Sequence, residues 1–518
     1  MAKLTDYTTY ADAEAHCCPE KLWELFDGSR TSFNIAHECI DRHARNSERV
    51  AVIVVGADGS EERITFHSLS VLSNRFANFL IRKGVKPGDR VAVMLEPSLA
   101  FYVSIFGALK LGAIAVPLFT LFGYDGIRLR VEDCQPKILV TNTERVDVSA
   151  GIDGVEIHVV DTAFEEQLGG FPQSFDVSTG ADDLAIFQYT SGTTREFPAA
   201  VKHKHRALVT LMLAALYGTG IRPGDRFFCP SSPAWGHGLW HGTLAPLALG
   251  VTIGSFRGKF DVERLLRALQ DNHFNNISAA ATHFRIMRNS GIAGKYRYAI
   301  EKVSFTGEPM DTETENFTRA TFGRPVCSMY GTTEIGVILV NYPGAADFTV
   351  KPGSLGKPVP GVMVEVHDSE GRRSQPGVVG ELLVWRNDHW LATKDLGWVD
   401  SEGYFYHAGR ADDVIISAGW TMSAVEIESA ILGHPDVLEA AAIGVPDEVR
   451  GQVVKAFVVA GRSGNESFAK EIQALVRSRL SQHEYPRHVA FVTELPKTPA
   501  GKLYRKALRE RELQRIDT

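Results

Sequence analysis

Residues Thr190 to Thr194 read TSGTT and combine one glycine with four hydroxyl side chains. Glycine lets backbone N–H groups approach a phosphate closely, and Ser and Thr hydroxyls donate hydrogen bonds to its oxygens. The same pentamer also suits a strand-ending turn with hydroxyl caps, so it favours neither interpretation when taken alone. The Walker pattern G-x-x-x-x-G-K-[ST] is absent, and no convincing G-x-G-x-x-G follows a predicted strand. These absences exclude an ordinary P-loop ATPase and argue against a dinucleotide dehydrogenase.

Two other polar loops also follow strand-like runs. They lie within VSFTGEP (303–309) and VCSMYGTTE (326–334), and the run LAIFQY (184–189) leads directly into TSGTT. Ligands of open α/β sheets usually bind at the carboxyl ends of the strands. We therefore expect these three loops to converge on one site.

The elements that must position these loops alternate between strands and helices. RVAVML (90–95), AIAVPL (113–118) and KILVTN (137–142) read as strands, with a helical pattern from about residue 98 to 111. Short Val/Ile-rich runs separated by helices predict parallel sheets covered by helices, hence an α/β fold. After about residue 355 the pattern is strand-rich, and from residue 412 a compact α+β unit follows, with helices near 424–432 and 466–481. We predict an N-terminal domain (1–410) of parallel-rich sheets with a β-rich subdomain, and a small C-terminal domain (411–518).

Composition limits the class of protein. The chain has 518 residues, 44% hydrophobic and 23% charged residues and a net charge of −7, which predicts a multidomain globular protein without a drive toward nucleic acid. Lys110, Gly112 and Pro117 interrupt the apolar segment 101–123, which therefore predicts a buried helix and strand and not a membrane span. Six scattered cysteines and a polar N-terminal stretch favour reduced thiols and a cytoplasmic location.

Five motifs occur in a fixed order along the chain: YTSGTT (189–194), TGEP (306–309), YGTTE (330–334), DLGWVDSEGYFYHAGRADD (395–413) and PKTPAGKLYRKAL (496–508). This series resembles the adenylate-forming (AMP-binding) superfamily. Around AVKHKHRAL (200–208) and PAWGHG (233–238) it is most similar to medium-chain and aromatic or alicyclic acid–CoA ligases. The resemblance implies ATP, Mg²⁺ and coenzyme A as reactants: a carboxylate forms an acyl-adenylate, which the CoA thiol then captures.

The resemblance also implies residue roles. The β- and γ-phosphates of ATP would be bound by Thr190, Ser191, Gly192, Thr193 and Thr194. Adenine would lie against Gly307, Glu308, Pro309 and Tyr330, while Gly331, Thr332 and Thr333 would complete the nucleotide site, with Thr333 at the α-phosphate. Asp395 and Arg410 would contact the ribose, and Glu334 would coordinate Mg²⁺, whose hard charge suits a carboxylate.

Two further roles are implied for the C-terminal region. Lys502 matches the adenylation lysine, which bridges the reacting carboxylate and the α-phosphate, so Lys502, Thr190 and Glu334 are the expected catalytic residues. Asp412 matches a hinge whose rotation would exchange the Lys502 face for a second face. On that face Ser417, Ala418, Gly419 and Trp420 would flank the pantetheine of CoA.

The acyl pocket is expected around Trp235, His237 and Thr282. Trp235 falls where this branch of the superfamily carries an aromatic gate, whereas Trp240 is equally compatible with a core aromatic. A Trp/His wall favours a compact acid over a long fatty chain.

The chain departs from the superfamily pattern in two places. The phosphate loop usually continues T-T-G-x-P-K-G, but here TTREFPAAV has Ala199 near the lysine position, and Arg195 or Lys202 could supply the charge. Lys394 replaces the glycine that usually precedes Asp395. Two alternatives therefore stay open beside a CoA ligase: an adenylation enzyme that loads a carrier protein, and a nucleotide-binding protein that has lost turnover.

Overall fold

The computed structural model describes residues 2–189, 200–332, 335–386, 388–410, 415–417, 420–447, 451–480, 485–497 and 503–516. The chain divides into two compact units. The first comprises residues 1–279, 292–304 and 342–348, and the second comprises residues 280–291, 305–341 and 349–518. The predicted boundary at residue 410 lies inside the second unit and stays a prediction.

Most of the first unit consists of short strands and helices in alternation. Its strands are β1 (Val50–Val55), β2 (Glu61–Thr65), β3 (Arg90–Val93), β4 (Ile114–Pro117), β5 (Ile138–Asn142), β6 (Glu156–Val160), β7 (Leu184–Tyr189), β8 (Ala200–Lys204), β9 (Arg226–Phe228), β10 (Thr252–Phe256) and β11 (Asn276–Ala280, whose last residue falls in the second unit). Its α-helices are α1 (Tyr10–His16), α2 (Pro19–Trp23), α3 (Ile35–Cys39), α4 (Phe66–Arg82), α5 (Leu99–Leu111), α6 (Tyr124–Cys134), α7 (Val146–Ser149), α8 (Phe164–Leu168), α9 (Ala207–Leu213), α10 (Ala245–Ala248) and α11 (Val262–Asp271). Two π-helical segments, Ala214–Gly218 and His237–Leu244, and three 3₁₀ turns, Leu4–Asp6, Asp41–His43 and Ala293–Lys295, complete it.

The strands of the first unit run mainly parallel. One run has the order β6-β5-β3-β4-β7-β8, in which only β8 is antiparallel to its neighbour. Another has the order β11-β9-β10-β1-β2, with β2 antiparallel at the edge. The strands expected at 90–95, 113–118, 137–142 and 184–189 are confirmed as β3, β4, β5 and β7.

The second unit is mainly antiparallel. Strand β12 (Lys302–Thr306) enters it from the first unit along the chain. The others are β13 (Val326–Thr332), β14 (Gly336–Val340), β15 (Ser354–Pro358), β16 (Val364–His367), β17 (Gly380–Arg386), β18 (His389–Val399), β19 (Phe405–Arg410), β20 (Ile415–Ser417), β21 (Trp420–Met422), β22 (Val437–Asp447), β23 (Gly451–Ala460) and β24 (His488–Phe491). Its helices are α12 (Ala281–Ser290), α13 (Thr312–Phe322), α14 (Ala424–Leu432), α15 (Glu466–Arg479) and α16 (Arg505–Ile516).

Strand order in the second unit separates two sets. One has the order β16-β17-β18-β19-β15-β14-β13, and the other has the order β22-β23-β24 with the hairpin β20-β21 beside it in the chain. The strand-rich region expected after residue 355 and the helices expected near 424–432 and 466–481 are confirmed. The α/β fold class is confirmed with them.

The apolar segment 101–123 contains α5 and β4. Ser98 caps α5 by accepting a hydrogen bond from the Phe101 N–H, and Gly112 ends it in the left-handed conformation (φ +78°). Lys110 is 1% exposed in this helix, and its ammonium donates to Asp41 Oδ1 and Asn74 Oδ1, each at 2.6 Å. A buried ammonium needs such partners because its desolvation is costly. Among the described residues no helix is long and apolar enough to cross a membrane.

His205 joins β8 to the start of α3. Its side chain is fully buried, and its Nδ1 accepts a hydrogen bond from the Ile35 N–H at 3.1 Å. Burial, partly opposed by the charge of Asp183, lowers the pKa of His205 from 6.5 to about 4. The imidazole is therefore neutral in the folded protein at neutral pH.

We predict that His205 weakens the fold in acid. The unfolded chain takes up this proton near pH 6.5 and the folded chain only near pH 4, so stability is complete above pH 6.5 and falls between those values. This residue accounts for about 3 kcal/mol of the loss by pH 4, of which about 2 kcal/mol has appeared at pH 5. Urea unfolding of wild type and His205→Asn at pH 7.5 and pH 5 measures it, because asparagine accepts the same hydrogen bond without titrating. Equal acid losses in the two proteins would contradict the assignment.

Candidate active site

A buried carboxylate, Asp395, lies where three strands of the second unit meet. It is 6% exposed on β18 and accepts a hydrogen bond from the Tyr330 hydroxyl of β13 at 2.6 Å. His407 of β19 places its Nε2 3.8 Å from Asp395 Oδ1. The structure thus brings together Tyr330 and Asp395, which the sequence assigned to one nucleotide site from motifs 65 residues apart. Sequence reasoning missed His407, although it stands in the same motif as Asp395.

A β-bulge determines the orientation of Asp395. Strand β17 pairs Glu381 with Leu396 and Leu383 with Ala392, so residues 393–395 of β18 face the single residue 382. Thr393 closes the bulge, because its hydroxyl donates to the Leu382 carbonyl at 2.8 Å and accepts from the Asp395 N–H at 3.1 Å. Bulges commonly re-aim side chains beside active sites.

Lys394 occupies the left-handed position of this bulge. Its φ is +63°, a conformation that glycine adopts without cost and other residues rarely adopt. Lys394 therefore stands in a conformation that a glycine would adopt without strain, and Asp395 follows it within the bulge closed by Thr393.

The loop after β12 is fixed by contacts with α12. Glu308 accepts a hydrogen bond from the Thr282 hydroxyl, and Arg285 Nη1 lies 3.9 Å from its carboxylate. Arg285 also reaches Asp311 at 3.2 Å. Sequence reasoning assigned Thr282 to the acyl pocket and Glu308 to the adenine pocket, and the structure places the two side chains in direct contact. Gly307, just before Glu308, has φ +97°, and Pro309 follows in the same loop.

Asp311 anchors this arrangement. Its carboxylate is nearly buried, accepts a hydrogen bond from Arg288 at 2.9 Å and caps α13 by accepting from the Thr314 N–H at 2.9 Å. Burial alone would raise the pKa of Asp311, but the Thr314 hydrogen bonds and the Arg285 and Arg288 guanidinium groups outweigh it. The pKa therefore lies below its usual 3.8.

We predict that Asp311→Asn destabilises the protein by about 3 kcal/mol at pH 7, because two nearly buried guanidinium groups lose their counter-charge. Asparagine still caps α13, so Asp311→Ala should cost about 1 kcal/mol more. The ion-pair contribution is present above pH 3.8 and is lost as the pH falls through the lower folded pKa. Urea unfolding of the three proteins at pH 7 and pH 3 measures both effects. An asparagine variant as stable as wild type at pH 7 would show that the ion pairs contribute nothing.

In the first unit His237 begins the π-helical segment His237–Leu244. Its Nδ1 lies 3.0 Å from Ser231 Oγ and its Nε2 lies 3.0 Å from Ser278 Oγ. Each serine hydroxyl can donate to or accept from the ring nitrogen that it faces, and the tautomer of the imidazole decides which. Cys229 Sγ is 3.8 Å from the same Nδ1, but burial raises the pKa of this thiol to about 12. The pair therefore does not form a thiolate nucleophile.

The two tryptophans of this region differ in environment. Trp235 lies against Phe119, with ring centroids 5.0 Å apart, and is part of a half-buried aromatic wall. Trp240 is 7% exposed, and its indole N–H donates to Gln188 Oε1 at 2.8 Å. Sequence reasoning missed Gln188, Ser231 and Ser278, because single polar residues next to apolar strands form no motif with a recognisable spacing.

Gly331 and Thr332 end β13. A Cβ on Gly331 would lie 2.1 Å from the Gly336 carbonyl oxygen across the hairpin, so only glycine fits there. The Thr332 hydroxyl accepts a hydrogen bond from the Ile335 N–H at 3.2 Å. These contacts fix the strands on either side of the next two motif residues.

Several predicted site residues lie outside the described residues: Thr190, Ser191, Gly192, Thr193, Thr194, Thr333, Glu334, Asp412, Ala418, Gly419 and Lys502, together with Arg195 and Ala199. Arg410, Ser417 and Trp420 are described by their backbone in β19, β20 and β21 only. Leu503, next to Lys502, forms a β-bridge with Lys497. Within the part of the chain that the structure describes, no group of three or more His, Cys, Asp or Glu side chains is arranged to hold a metal ion.

Two family models match the chain. Residues 40–390 match the AMP-binding enzyme model, and residues 426–502 match the model of the AMP-binding enzyme C-terminal domain. The stretch between them contains the predicted domain boundary.

Curated and solved relatives extend over nearly the whole chain. It is 32% identical to an acetyl-coenzyme A synthetase of Bacillus subtilis over 93% of this chain and 91% of that one. It is 30% identical to a 4-hydroxybutyrate–CoA ligase of Metallosphaera sedula over 88% and 86% of the two chains. The structure of a benzoate CoA ligase from Burkholderia xenovorans superposes with a TM-score of 0.79 at 27% identity, covering 92% of this chain and all of that one.

Proposed function

The chain belongs to the AMP-binding enzyme family as an enzyme of the acyl-CoA synthetase type, and we propose that it is an ATP-dependent acid–CoA ligase. The reaction converts a carboxylate, ATP and CoA into an acyl-CoA, AMP and diphosphate. The family resemblance inferred from the five ordered motifs is thereby confirmed, and the individual site residues remain part of the proposal.

The observation that carries the proposal is the buried carboxylate of Asp395 held by Tyr330. A carboxylate accepts hydrogen bonds at both of its oxygens, and the vicinal hydroxyls of a ribose supply matching donors. Tyr330 presents a ring beside it, on which adenine can lie flat. The chemistry of these groups fits the sugar and base of a nucleotide.

In the first half-reaction a carboxylate oxygen of the acid attacks the α-phosphorus of ATP. The bond between that phosphorus and the bridging oxygen breaks, and diphosphate leaves. This step needs charge neutralisation and in-line alignment more than covalent catalysis. We assign Lys502 to the bridge between carboxylate and α-phosphate, and Thr190 to Thr194 to the β- and γ-phosphates. Thr333 binds the α-phosphate, and Arg410 assists at the ribose.

Mg²⁺ fits this site through the chemistry of Glu334, since the ion prefers carboxylate oxygens and phosphate oxygens. When bound, it would neutralise the charge of the leaving diphosphate. Because Glu334 lies outside the described residues, its assignment rests on its place in the motif after Thr332.

In the second half-reaction the sulfur of CoA attacks the acyl carbonyl carbon. The carbon–oxygen bond to AMP breaks, AMP leaves, and the thiol proton passes to solvent. Rotation at Asp412 would bring the loop Ser417–Trp420 to the pantetheine in place of Lys502.

For the acid we propose a compact aromatic, alicyclic or short- to medium-chain carboxylate. Trp235 and Phe119 form a rigid aromatic wall, and His237 is held between two serines beside it. Relatives named for acetate, 4-hydroxybutyrate and benzoate support an acid of this size.

ATP–diphosphate exchange across a panel of such acids tests the proposal. We predict exchange with at least one acid, and a loss of at least about 100-fold in Lys502→Ala, because this ammonium stabilises charge that develops in the transition state. Lys497→Ala is the matched control. It removes only a partly exposed ion pair with Glu439 (2.8 Å), which is worth about 1 kcal/mol at most.

The same assay identifies the thiol acceptor and distinguishes the ligase from the two alternative functions. Release of acyl-CoA with free CoA supports the ligase, while exchange without free-CoA turnover supports an enzyme that loads a carrier protein. ATP binding without exchange for any acid would support a nucleotide-binding protein that has lost turnover, and would reject the proposal.

We further predict that Arg195 replaces the missing phosphate-loop lysine. Arg195→Ala should raise the KM for ATP about tenfold, as expected when one charge-assisted hydrogen bond to phosphate is lost. Lys202→Ala is the control, since Lys202 is exposed on β8 with its ammonium 5.1 Å from the Phe187 ring centroid. If Arg195→Ala behaves as wild type and Lys202→Ala is impaired, the compensating charge is Lys202.

A further inference from the structure

Alternate residues of strand β7 face opposite sides of the sheet. Phe187 and Tyr189 pack in an apolar cluster, whereas Gln188 between them faces the opposite way. The antiparallel register pairs Gln188 with Val201 and Ile186 with His203, so Gln188 and His203 lie on the same face. This face meets Trp240 of the π-helical segment, because Trp240 contacts both residues.

The indole fixes the orientation of the Gln188 amide. An indole N–H can only donate, so the oxygen Oε1 must be the atom 2.8 Å from Trp240 Nε1. Nε2 then points away with two N–H donors. Gln188 is 2% exposed, and among the described residues Nε2 has no acceptor.

Two histidines of this region, one of them beside the indole, also have a buried nitrogen without a described partner. The ring of His203 lies 4.7 Å from that of Trp240, and its buried Nε2 has no partner within the described ranges. The same holds for Nδ1 of His241, the residue after Trp240. Burial lowers the pKa of both histidines to about 4, so both rings are neutral and can each donate or accept one hydrogen bond.

Unsatisfied buried polar groups are costly, because they lose their hydrogen bonds to water without replacement. Two of them beside one indole are not what a strand packed only for stability would contain. They also lie at a π-helical segment, and such segments occur often at functional sites.

The cluster adjoins the acyl pocket through Gly236. This glycine stands between Trp235 and His237, the two residues assigned to the pocket wall. A Cβ built on it would lie 3.7 Å from Gln188 Oε1 and 4.0 Å from Gln188 Nε2. The Gln188 amide therefore packs directly against the backbone that joins the two pocket-wall residues.

We infer that Gln188, with His203, binds a hydrogen-bond acceptor carried by the acyl group of the acid. This inference rests on the proposed function and narrows it. The enzyme then prefers acids with a hydroxyl or carbonyl oxygen over the same acids without one. An acid that lacks the oxygen leaves the buried amide unpaired. An enzyme rejects a substrate for a missing hydrogen-bonding group more strongly than for a missing methylene.

Paired acids test this directly in the exchange assay. Suitable pairs are butanoate with 4-hydroxybutanoate, benzoate with its hydroxy isomers, and cyclohexanecarboxylate with its hydroxy derivatives. In wild type we expect kcat/KM to favour the oxygen-bearing member of at least one pair by about 10- to 100-fold. No preference in any pair would overturn the inference while leaving the ligase proposal intact.

Variants then assign the preference to Gln188. Gln188→Met keeps the size of the side chain and removes the amide, so the preference should fall to about twofold or less. His203→Leu leaves the Gln188–Trp240 hydrogen bond in place and should reduce the preference less. Thr141→Val is the matched control. This variant removes a different buried polar group without a described partner, the hydroxyl on β5 of the same strand run. It should leave the preference for the oxygen-bearing acid unchanged.

A preference that survives Gln188→Met would also overturn the inference. If no acid supports exchange, the proposed function fails, and calorimetric titration of the same acid pairs still tests the pocket because it needs no turnover. Tighter binding of the oxygen-bearing acid, lost in Gln188→Met, is the expected result. Equal binding of both acids of each pair would overturn the inference.

Discussion

The requirement that a buried carboxylate be held by hydrogen bonds explains much of the local structure around Asp395. A charge removed from water is tolerated only with suitable partners. Tyr330 of β13 donates a hydrogen bond to Asp395, and His407 of the neighbouring strand β19 lies 3.8 Å from the same carboxylate. The bulge closed by Thr393 aims the carboxylate at them. The antiparallel order of these strands is thus also the condition that makes a nucleotide site possible there.

The same rule applies at Lys110 and Asp311, with a different outcome. Lys110 is enclosed by Asp41, Ser70 and Asn74, which use all three of its donors. Asp311 receives two guanidinium groups and caps a helix. Both charged groups therefore have all the hydrogen-bond partners they need, and both serve to stabilise the fold. The cluster around Trp240 differs, because its polar atoms are buried without hydrogen-bond partners among the described residues. This difference is the physical reason why we assign the cluster to binding the acid.

Sequence reasoning predicted the fold class, the order of elements and the family, because motif order and hydrophobic period extend along the chain. It could not predict contacts between distant segments. Thr282 and Glu308 were assigned to separate pockets although their side chains touch, since their separation of 26 residues says nothing about distance in space. Gln188 lies outside the five motifs and His407 lies inside one without an expected role, and only the strand register shows which face each occupies.

The two departures from the family pattern have different physical consequences. Lys394 adopts φ +63° although a non-glycine residue loses about 1 kcal/mol or more in that conformation. The pairing of β17, β18 and β19 must therefore impose the bulge whatever residue stands there. Asp395 is consequently insensitive to the replacement before it. The change in TTREFPAAV is of another kind, because it removes a positive charge that the proposed phosphate loop would use. The effect on ATP binding then depends on whether Arg195 or Lys202 supplies that charge, which the predicted variants measure.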